Sequence, residues 1–159
     1  MLGIDPGLVD TGYGLIEPGP RGIVVVTSGV IATRRELALE ARIHLIYDGV
    51  HALVAKHAPT LIVLEDLYAE YKFPRTAILM GHARGVIYLA ARQLGVTVLA
   101  LSASEVKRAI AAHGTATKEQ IQHSVQRLLS LRELPRPSHV ADALALALTG
   151  FSRAGGRLG

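Results

Sequence analysis

Acidic side chains stand at the ends of apolar runs in three widely separated parts of the chain. Asp5 follows the run at the N-terminus, Glu65 closes the run at 61–64, and Asp142 lies with His139 beside an apolar segment near the C-terminus. A carboxylate at the edge of a hydrophobic core is costly to desolvate unless it is paired or binds a cation. The sequence therefore predicts a shared divalent-metal site, for which phosphodiester hydrolysis is a typical reaction.

Each of these residues also has a purely structural explanation. Asp5 begins an Asp-Pro-Gly sequence that is common in turns, and Asp66 leaves open which of two adjacent acids is the ligand. His139 and Asp142 share one face of a predicted helix, where Ser138 could cap the first turn and the helix dipole would favour an acid. Four candidate ligands from three distant segments favour the metal site over these separate explanations.

Aromatic and basic residues follow Glu65 on a predicted loop. Such a mixture can stack on unpaired bases while it neutralises phosphate, although surface tyrosines without a function are common. Two lysines that begin later helices could extend the same surface or simply belong to a solvated helix face. The candidate nucleic-acid contacts are Tyr68, Tyr71, Lys72, Arg75, Lys107 and Lys118.

Composition restricts the class of protein. The 159 residues are half hydrophobic, enough for one domain with an ordinary core. Without cysteine the chain has no disulfide, zinc-thiolate site or cysteine nucleophile. A net charge of +4 favours a polyanionic partner such as nucleic acid. No signal-like stretch and no apolar run of about 18 residues is present, so we expect a soluble, cytoplasmic protein.

The elements that must position these residues follow from the hydrophobic pattern. Short connections between three N-terminal strands predict an antiparallel meander, and an apolar run flanked by helical patterns predicts a βαβ unit. The predicted strands are 1–5, 12–17, 22–33, 61–64 and 96–99, and Pro18 is expected to end the second. The predicted helices are 36–57, 76–94, 104–112, 118–129 and 139–149, the last of them apolar nearly all round.

This order of elements predicts an α/β protein. We expect a mixed five-stranded sheet with helices on both faces, formed by one domain at 1–152 and followed by a disordered tail at 153–159. Asp5 and Glu65 would end neighbouring strands, and ligands bind at the carboxyl ends of strands in such sheets. The two carboxylates are therefore expected to converge.

At the level of motifs, the chain closely resembles the RuvC family of Holliday-junction resolvases, which belong to the ribonuclease H-like superfamily. No single motif is specific, but their combination across nearly the whole chain is. The matching segments are Leu2-Gly3-Ile4-Asp5-Pro6-Gly7, Thr11-Gly12-Tyr13-Gly14, Glu65, Thr76-Ala77, Gly81-His82-Ala83-Arg84-Gly85-Val86, Val106-Lys107, Lys118-Glu119-Gln120-Ile121-Gln122 and Ala141-Asp142-Ala143-Leu144-Ala145-Leu146-Ala147.

The resemblance implies a function as well as a fold. It implies that a metal-binding catalytic tetrad is formed by Asp5, Glu65, His139 and Asp142 and holds two Mg²⁺ or Mn²⁺ ions. It further implies a homodimer that makes paired symmetric cuts in four-way junctions during recombination and repair, together with the RuvA and RuvB branch-migration proteins. Tyr68 would engage the junction centre, and Lys107 and Lys118 would contact the DNA backbone.

Two departures from the family pattern affect this interpretation. His139 stands where many relatives carry Asp, and a nitrogen ligand would favour Mn²⁺. The Tyr-Lys-Phe-Pro sequence at 71–74 replaces residues such as Lys-Asn, which leaves the junction contacts open. Two rival functions are a fragment of an actin-like phosphotransferase, suggested by the hairpin at 5–14, and a junction-binding module whose catalytic site has decayed.

Small residues at 77, 81 and 85 form a stripe along one predicted helix. Such a stripe allows close approach of a neighbour, which would be either the protein's own sheet or a second copy of the chain. A two-fold dimer would match the symmetry of a four-way junction and place two sites on opposing strands.

Overall fold

The computed structural model describes residues 1–20, 22–66, 74–111 and 115–158. Its five strands are β1 (Leu2–Asp5), β2 (Asp10–Gly19), β3 (Gly22–Ala32), β4 (Leu61–Glu65) and β5 (Thr97–Leu101). Its five helices are α1 (Leu39–His57), α2 (Pro74–Gln93), α3 (Ala103–Ala111), α4 (Lys118–Leu128) and α5 (Ser138–Arg153). No helix of these described ranges is long and apolar enough to cross a membrane.

The strands form one mixed sheet in the order β3-β2-β1-β4-β5. The first three are antiparallel neighbours, whereas β4 runs parallel to both β1 and β5. The parallel register aligns Ile4 with Leu64. Because the next residue in each strand is the last, Asp5 and Glu65 end adjacent strands at the same level. The predicted five-stranded mixed sheet and the meander are confirmed.

Helices cover both faces of the sheet, as predicted. Ile62 and Leu64 pack with α1 and α2 on one face, whereas Val63 packs with α3, α4 and α5 on the other. Side chains alternate between the faces of a strand. Glu65 therefore shares the face of Val63, and the same alternation from Ile4 places Asp5 there too.

Two glycines allow α5 to lie directly on the sheet. A Cβ atom at Gly3 would overlap the backbone oxygen of Ala143, and a Cβ at Gly12 would overlap that of His139. Gly12 is the strand partner of Asp5. The lack of side chains at these positions thus brings the first turn of α5 against the end of β1. Residues 143–150 of the helix are fully buried, as its apolar sequence predicts.

Element boundaries differ from the prediction at three instructive places. Pro18 does not end β2, because it stands opposite Ile23 in a hairpin that continues to Gly19. Helix α1 begins at Leu39 instead of residue 36, since Leu37 N donates to the Arg34 carbonyl in a separate turn. Helix α5 extends to Arg153. The proposed domain boundary and the disordered tail stay predictions.

Candidate active site

The four predicted ligands lie around one cavity of about 380 Å³ at the carboxyl ends of β1 and β4. Asp5 and Glu65 come from the strand ends, and His139 and Asp142 come from the first turn of α5. The three distant sequence segments are therefore brought together, as the apolar-to-acidic pattern predicts. Lys107 and Lys118 line the same cavity from α3 and α4.

A direct contact in the site joins Asp5 and His139. The Asp5 carboxylate is 7% exposed, and its Oδ2 atom lies 2.7 Å from His139 Nδ1, at hydrogen-bond distance. The imidazole is more accessible, with 39% of its side chain exposed. This pairing follows from the position of His139 above Gly12, the strand partner of Asp5.

The first turn of α5 is not capped as predicted. Pro137 occupies the N-cap position, Ser138 is already helical, and no side chain caps the helix. A first turn capped by Ser138 therefore does not explain the presence of His139 and Asp142. Their shared feature is that both face the cavity that contains Asp5.

Burial raises the pKa values of all three carboxyl groups, and repulsion by neighbouring carboxylates adds to this effect at Glu65 and Asp142. The pKa of Glu65 is raised to about 7, chiefly by burial and then by the negative charges of Asp5 and Asp142. Burial and the charge of Asp5 raise the pKa of Asp142. Burial likewise raises the pKa of Asp5, although the contact with His139 opposes this effect. Such a set of crowded acids is strained by its own charge.

Lys118 opposes this repulsion. Its positive charge lowers the pKa of each of the three carboxyl groups. The lysine is the first residue of α4, whose start is fixed by a capping box. Thr117 Oγ1 accepts from Gln120 N at 3.2 Å, and Thr117 N donates to Gln120 Oε1 at 2.8 Å. The Thr-x-x-Gln sequence signals this cap, which our sequence analysis missed.

A divalent cation fits this donor set chemically. Three carboxylates and one imidazole are oxygen and nitrogen ligands that such ions accept. A cation would also offset the repulsion that raises the pKa values of Glu65 and Asp142. Among the described residues, no three acidic or imidazole side chains already converge as a complete ligand set. Two of the candidate ligand atoms, Asp5 Oδ2 and His139 Nδ1, contact each other at 2.7 Å.

The remaining predicted nucleic-acid contacts have different outcomes. Arg75 is exposed in the first turn of α2, where solvent and DNA can reach it. Tyr68, Tyr71 and Lys72 lie outside the described residues.

Comparisons with known proteins agree with this geometry. Residues 1–150 match the family model described as crossover junction endodeoxyribonuclease RuvC. A protein of that name from Rhodopirellula baltica is 47% identical over 94% of this chain and 84% of its own length. The corresponding protein from Fusobacterium nucleatum is 37% identical over 99% of this chain and 83% of its own.

Solved structures of Holliday junction resolvases also resemble this chain. The chain resembles Thermus thermophilus RuvC in complex with a Holliday junction substrate, with a TM-score of 0.89 and 34% identity over 97% of this chain and 94% of the other. The yeast mitochondrial Holliday junction resolvase, at 14% identity, shares the fold with a TM-score of 0.66, over 93% of this chain and 75% of its own.

Proposed function

This chain belongs to the RuvC family of crossover junction endodeoxyribonucleases and resolves four-way (Holliday) DNA junctions, and we propose that Asp5, Glu65, His139 and Asp142 form its catalytic site. The observation that carries the proposal is their meeting in one cavity at the carboxyl ends of the two central strands. The ribonuclease H-like fold provides this meeting point, because β1 and β4 are parallel neighbours that end level with each other.

The same four residues would hold two divalent ions, Mg²⁺ or Mn²⁺. Crowded carboxylates with raised pKa values support this assignment, since positive charge among them relieves both the repulsion and the cost of burial. When bound, such ions would activate a water for in-line attack and stabilise the leaving 3′ oxygen, so that the products carry 5′-phosphate and 3′-hydroxyl ends. His139 would orient Asp5 and add a nitrogen donor.

Lys107 and Lys118 would bind the backbone of the strand to be cut. Both line the cavity beside the carboxylates, so a phosphate held between them would lie next to the ligands. Arg75 and the segment with Tyr68, Tyr71 and Lys72 would extend this surface toward the unpaired centre of the junction, where aromatic side chains can stack on bases.

The active unit would be a homodimer formed through α2. A Cβ atom at Gly81 or Gly85 would meet no atom of the described residues within 4 Å, so this part of the predicted small-residue stripe does not pack on the described sheet. Two large apolar side chains of the same helix, Ile78 and Leu89, are 63% and 50% exposed. A second copy would cover them, and its two-fold axis would set two sites on opposing strands.

RuvA and RuvB would be the partners of this dimer, as the family membership suggests. Cutting chromosomal junctions requires access to the DNA and to these proteins, so we place the enzyme in the cytoplasm. Neither assignment affects the chemistry of the isolated site.

Structure selectivity tests the proposed function directly. A synthetic four-way junction and a linear duplex of the same sequence are each incubated with the protein in Mg²⁺ or Mn²⁺. We expect paired symmetric cuts in the junction and no comparable cutting of the duplex. Equal cutting of both would indicate an unselective nuclease, and tight binding without any cutting would favour a junction-binding module.

A further inference from the structure

The loop at 6–9, which joins β1 to β2, forms the wall of the cavity beside Asp5. Pro6 and Gly7 of this β1–β2 loop line the cavity directly. The loop is tightly folded, since a Cβ atom at Gly7 would lie 2.2 Å from the backbone oxygen of Asp10. Because Asp5 is bonded to Pro6, a displacement of the loop would move both the wall and the Asp5 carboxylate.

Two buried threonines hold three successive carbonyl groups of the β1–β2 loop. The Thr11 hydroxyl donates to the Gly7 carbonyl at 2.6 Å. The Thr33 hydroxyl donates to the Leu8 carbonyl, and the Thr33 backbone N donates to the Val9 carbonyl at 2.7 Å. Thr11 and Thr33 are 0% and 6% exposed, so solvent is almost excluded from these hydrogen bonds.

Arg42 of α1 supports the contact made by Thr33. Its Nε atom donates to Thr33 Oγ1 at 3.1 Å. The Thr33 hydroxyl therefore accepts from Arg42 while it donates to Leu8, and a hydroxyl group can do both at once. The β1–β2 loop is connected in this way to a helix on the face of the sheet opposite the cavity.

Thr11 does not reach the cavity itself. A Cβ atom at Gly12 would point at α5, and side chains alternate along a strand, so Thr11 faces the opposite side of the sheet. It is not one of the described residues that line the cavity. A valine would fill the same space without the cost of burying a hydroxyl group. Packing alone therefore does not explain a threonine at this position.

We propose that Thr11 and Thr33 are positioning residues, which hold the β1–β2 loop so that Asp5 and the adjoining wall keep the geometry that cutting requires. The inference rests on the proposed junction-cutting function and deepens it. Pro6 has a nearly fixed φ angle, so the position of Gly7 restricts the backbone at Asp5. Because a displacement of about 1 Å can slow catalysis about 100-fold, loss of a hydroxyl should affect cutting more than binding.

The main test compares Thr11→Val, which removes the hydroxyl group and keeps the shape, with Thr11→Ser, which keeps the hydroxyl group. We expect single-turnover cutting by Thr11→Val at saturating protein and metal to fall roughly tenfold or more. Junction affinity, measured without divalent metal to prevent cutting, should stay within about threefold of wild type, because phosphate contacts dominate affinity. Thr11→Ser should cut within about threefold of wild type, since its hydrogen bond is kept.

Thr149→Val is the matched control for the loss of a buried hydroxyl group. Thr149 is 1% exposed in α5, and its hydroxyl donates to the Ala145 carbonyl at 2.8 Å. It does not line the cavity, so we expect wild-type cutting even if the melting temperature falls as much as in Thr11→Val. Added Mg²⁺ or Mn²⁺ should raise the melting temperature of Thr11→Val by less than that of Thr149→Val, because a displaced Asp5 binds metal more weakly.

Thr33→Val tests the second contact. It removes the bond to the Leu8 carbonyl but leaves the backbone bond to Val9, so we expect a smaller loss of cutting than in Thr11→Val. Thr33→Ser should restore the wild-type rate. Because both hydroxyl groups hold one loop, the loss in Thr11→Val/Thr33→Val should be smaller than the product of the two single losses. If Thr11→Val does not fold, Thr33→Val and Thr33→Ser provide the same comparison.

Wild-type cutting by a folded Thr11→Val protein would overturn the inference. An equal loss in Thr11→Ser or in Thr149→Val would do the same, as would a loss of junction affinity as large as the loss of rate. Wild-type protein in the same assays keeps the two proposals apart. If it binds and cuts junctions, the proposed function stands even where the threonines prove irrelevant, whereas a wild type that does not cut would overturn both.

Discussion

Buried and crowded carboxylates define the site at the scale of single residues. Burial raises the pKa values of Asp5, Glu65 and Asp142, and the negative charge of Asp5 raises those of Glu65 and Asp142 further. Two lysines and one imidazole reduce the repulsion without removing it. A site of this kind is poorly stable by itself in the ionised state and gains stability when a cation binds.

Glu65→Gln tests this electrostatic account in the metal-free protein. The pKa of Glu65 is raised to about 7 from an ordinary 4.5. The folded state then holds a proton that the unfolded state releases, so wild type loses stability as pH rises from about 4.5 to 7. We expect Glu65→Gln to lack this loss and to be more stable than wild type at pH 8 by on the order of 3 kcal/mol.

Chemical denaturation in chelator at pH 4.5 and pH 8 measures the difference between the two proteins. At pH 4.5 both carry a neutral group at this position, so their free energies of unfolding should be nearly equal. A wild-type stability that rises with pH over this range, relative to the glutamine variant, would contradict the raised pKa.

His139 permits a second prediction at this scale. Protonation of an imidazole competes with metal binding more strongly than protonation of an aspartate does at the same pH. We expect His139→Asp to keep cutting, to shift metal preference from Mn²⁺ toward Mg²⁺ and to extend activity to lower pH. His139→Ala should cut much more slowly at ordinary metal concentrations. Single-turnover rates against pH in each metal decide this, and an alanine variant that matches wild type throughout would exclude His139 from the site.

At the scale of elements, the site depends on how closely α5 approaches the sheet. Gly3 and Gly12 face its backbone, and no side chain of any size fits between. Helix α5 therefore lies in direct contact with the sheet, and His139 and Asp142 in its first turn lie beside the strand ends. The positions of His139 and Asp142 are therefore set by the absence of a side chain at Gly3 and at Gly12.

Gly12→Ala should separate these layers. The added methyl group would overlap the His139 backbone, which cannot move without shifting the helix. We expect a loss of stability of about 1–3 kcal/mol and a larger loss of cutting, because His139 and Asp142 move away from Asp5. Gly19→Ala is the control in the same strand, since its methyl group meets chiefly the side chain of Val24, which is 42% exposed and not held by the core.

Both variants are compared by thermal unfolding and by single-turnover junction cutting. Wild-type cutting in a folded Gly12→Ala protein would show that the close approach of α5 does not set the site.

Sequence reasoning performed well where a local pattern determines the outcome. Apolar runs and helical periodicity predicted the five strands, the five helices and the convergence of Asp5 with Glu65. It failed at Ser138, where a good capping residue lies one position inside the helix, and at Pro18, which a strand pair accommodates near its hairpin. Arg84 in α2 is only 7% exposed, and its burial has no local sequence signal, because an arginine in a helix is ordinary until the direction of its helix face is known.

At the scale of the whole molecule, the face of α2 with Ile78, Gly81, Gly85 and Leu89 is left uncovered by the described parts of the chain. Leu89→Glu places a charge on this face, where the side chain is 50% exposed, so the monomer fold should tolerate it. We expect wild type to sediment as a dimer at micromolar concentration and Leu89→Glu as a folded monomer, because burying an unpaired charge at the interface is unfavourable. The paired cuts should then become independent single-strand nicks.

Leu45→Glu is the matched control for this prediction. Leu45 is a leucine of similar exposure, 42%, on the separate helix α1. This variant should remain dimeric and cut in pairs. Dimerisation of Leu89→Glu equal to wild type, or dissociation of both variants, would place the dimer contact elsewhere.

In the proposed site, the carboxylates of the cavity serve the cutting reaction, whereas other residues bind the junction. One experiment measures binding and single-turnover cutting of the same synthetic four-way junction by wild type, Asp5→Asn and Asp10→Asn. Asp10, an acid at the start of β2, does not line the cavity, and its variant should match wild type.

For Asp5→Asn, we predict cutting reduced by roughly 1,000-fold or more with junction affinity equal to or tighter than wild type, because a charge that repels phosphate is lost. Near wild-type cutting by Asp5→Asn with saturating metal would contradict the account, since the residue at the centre of the proposed site would then be dispensable.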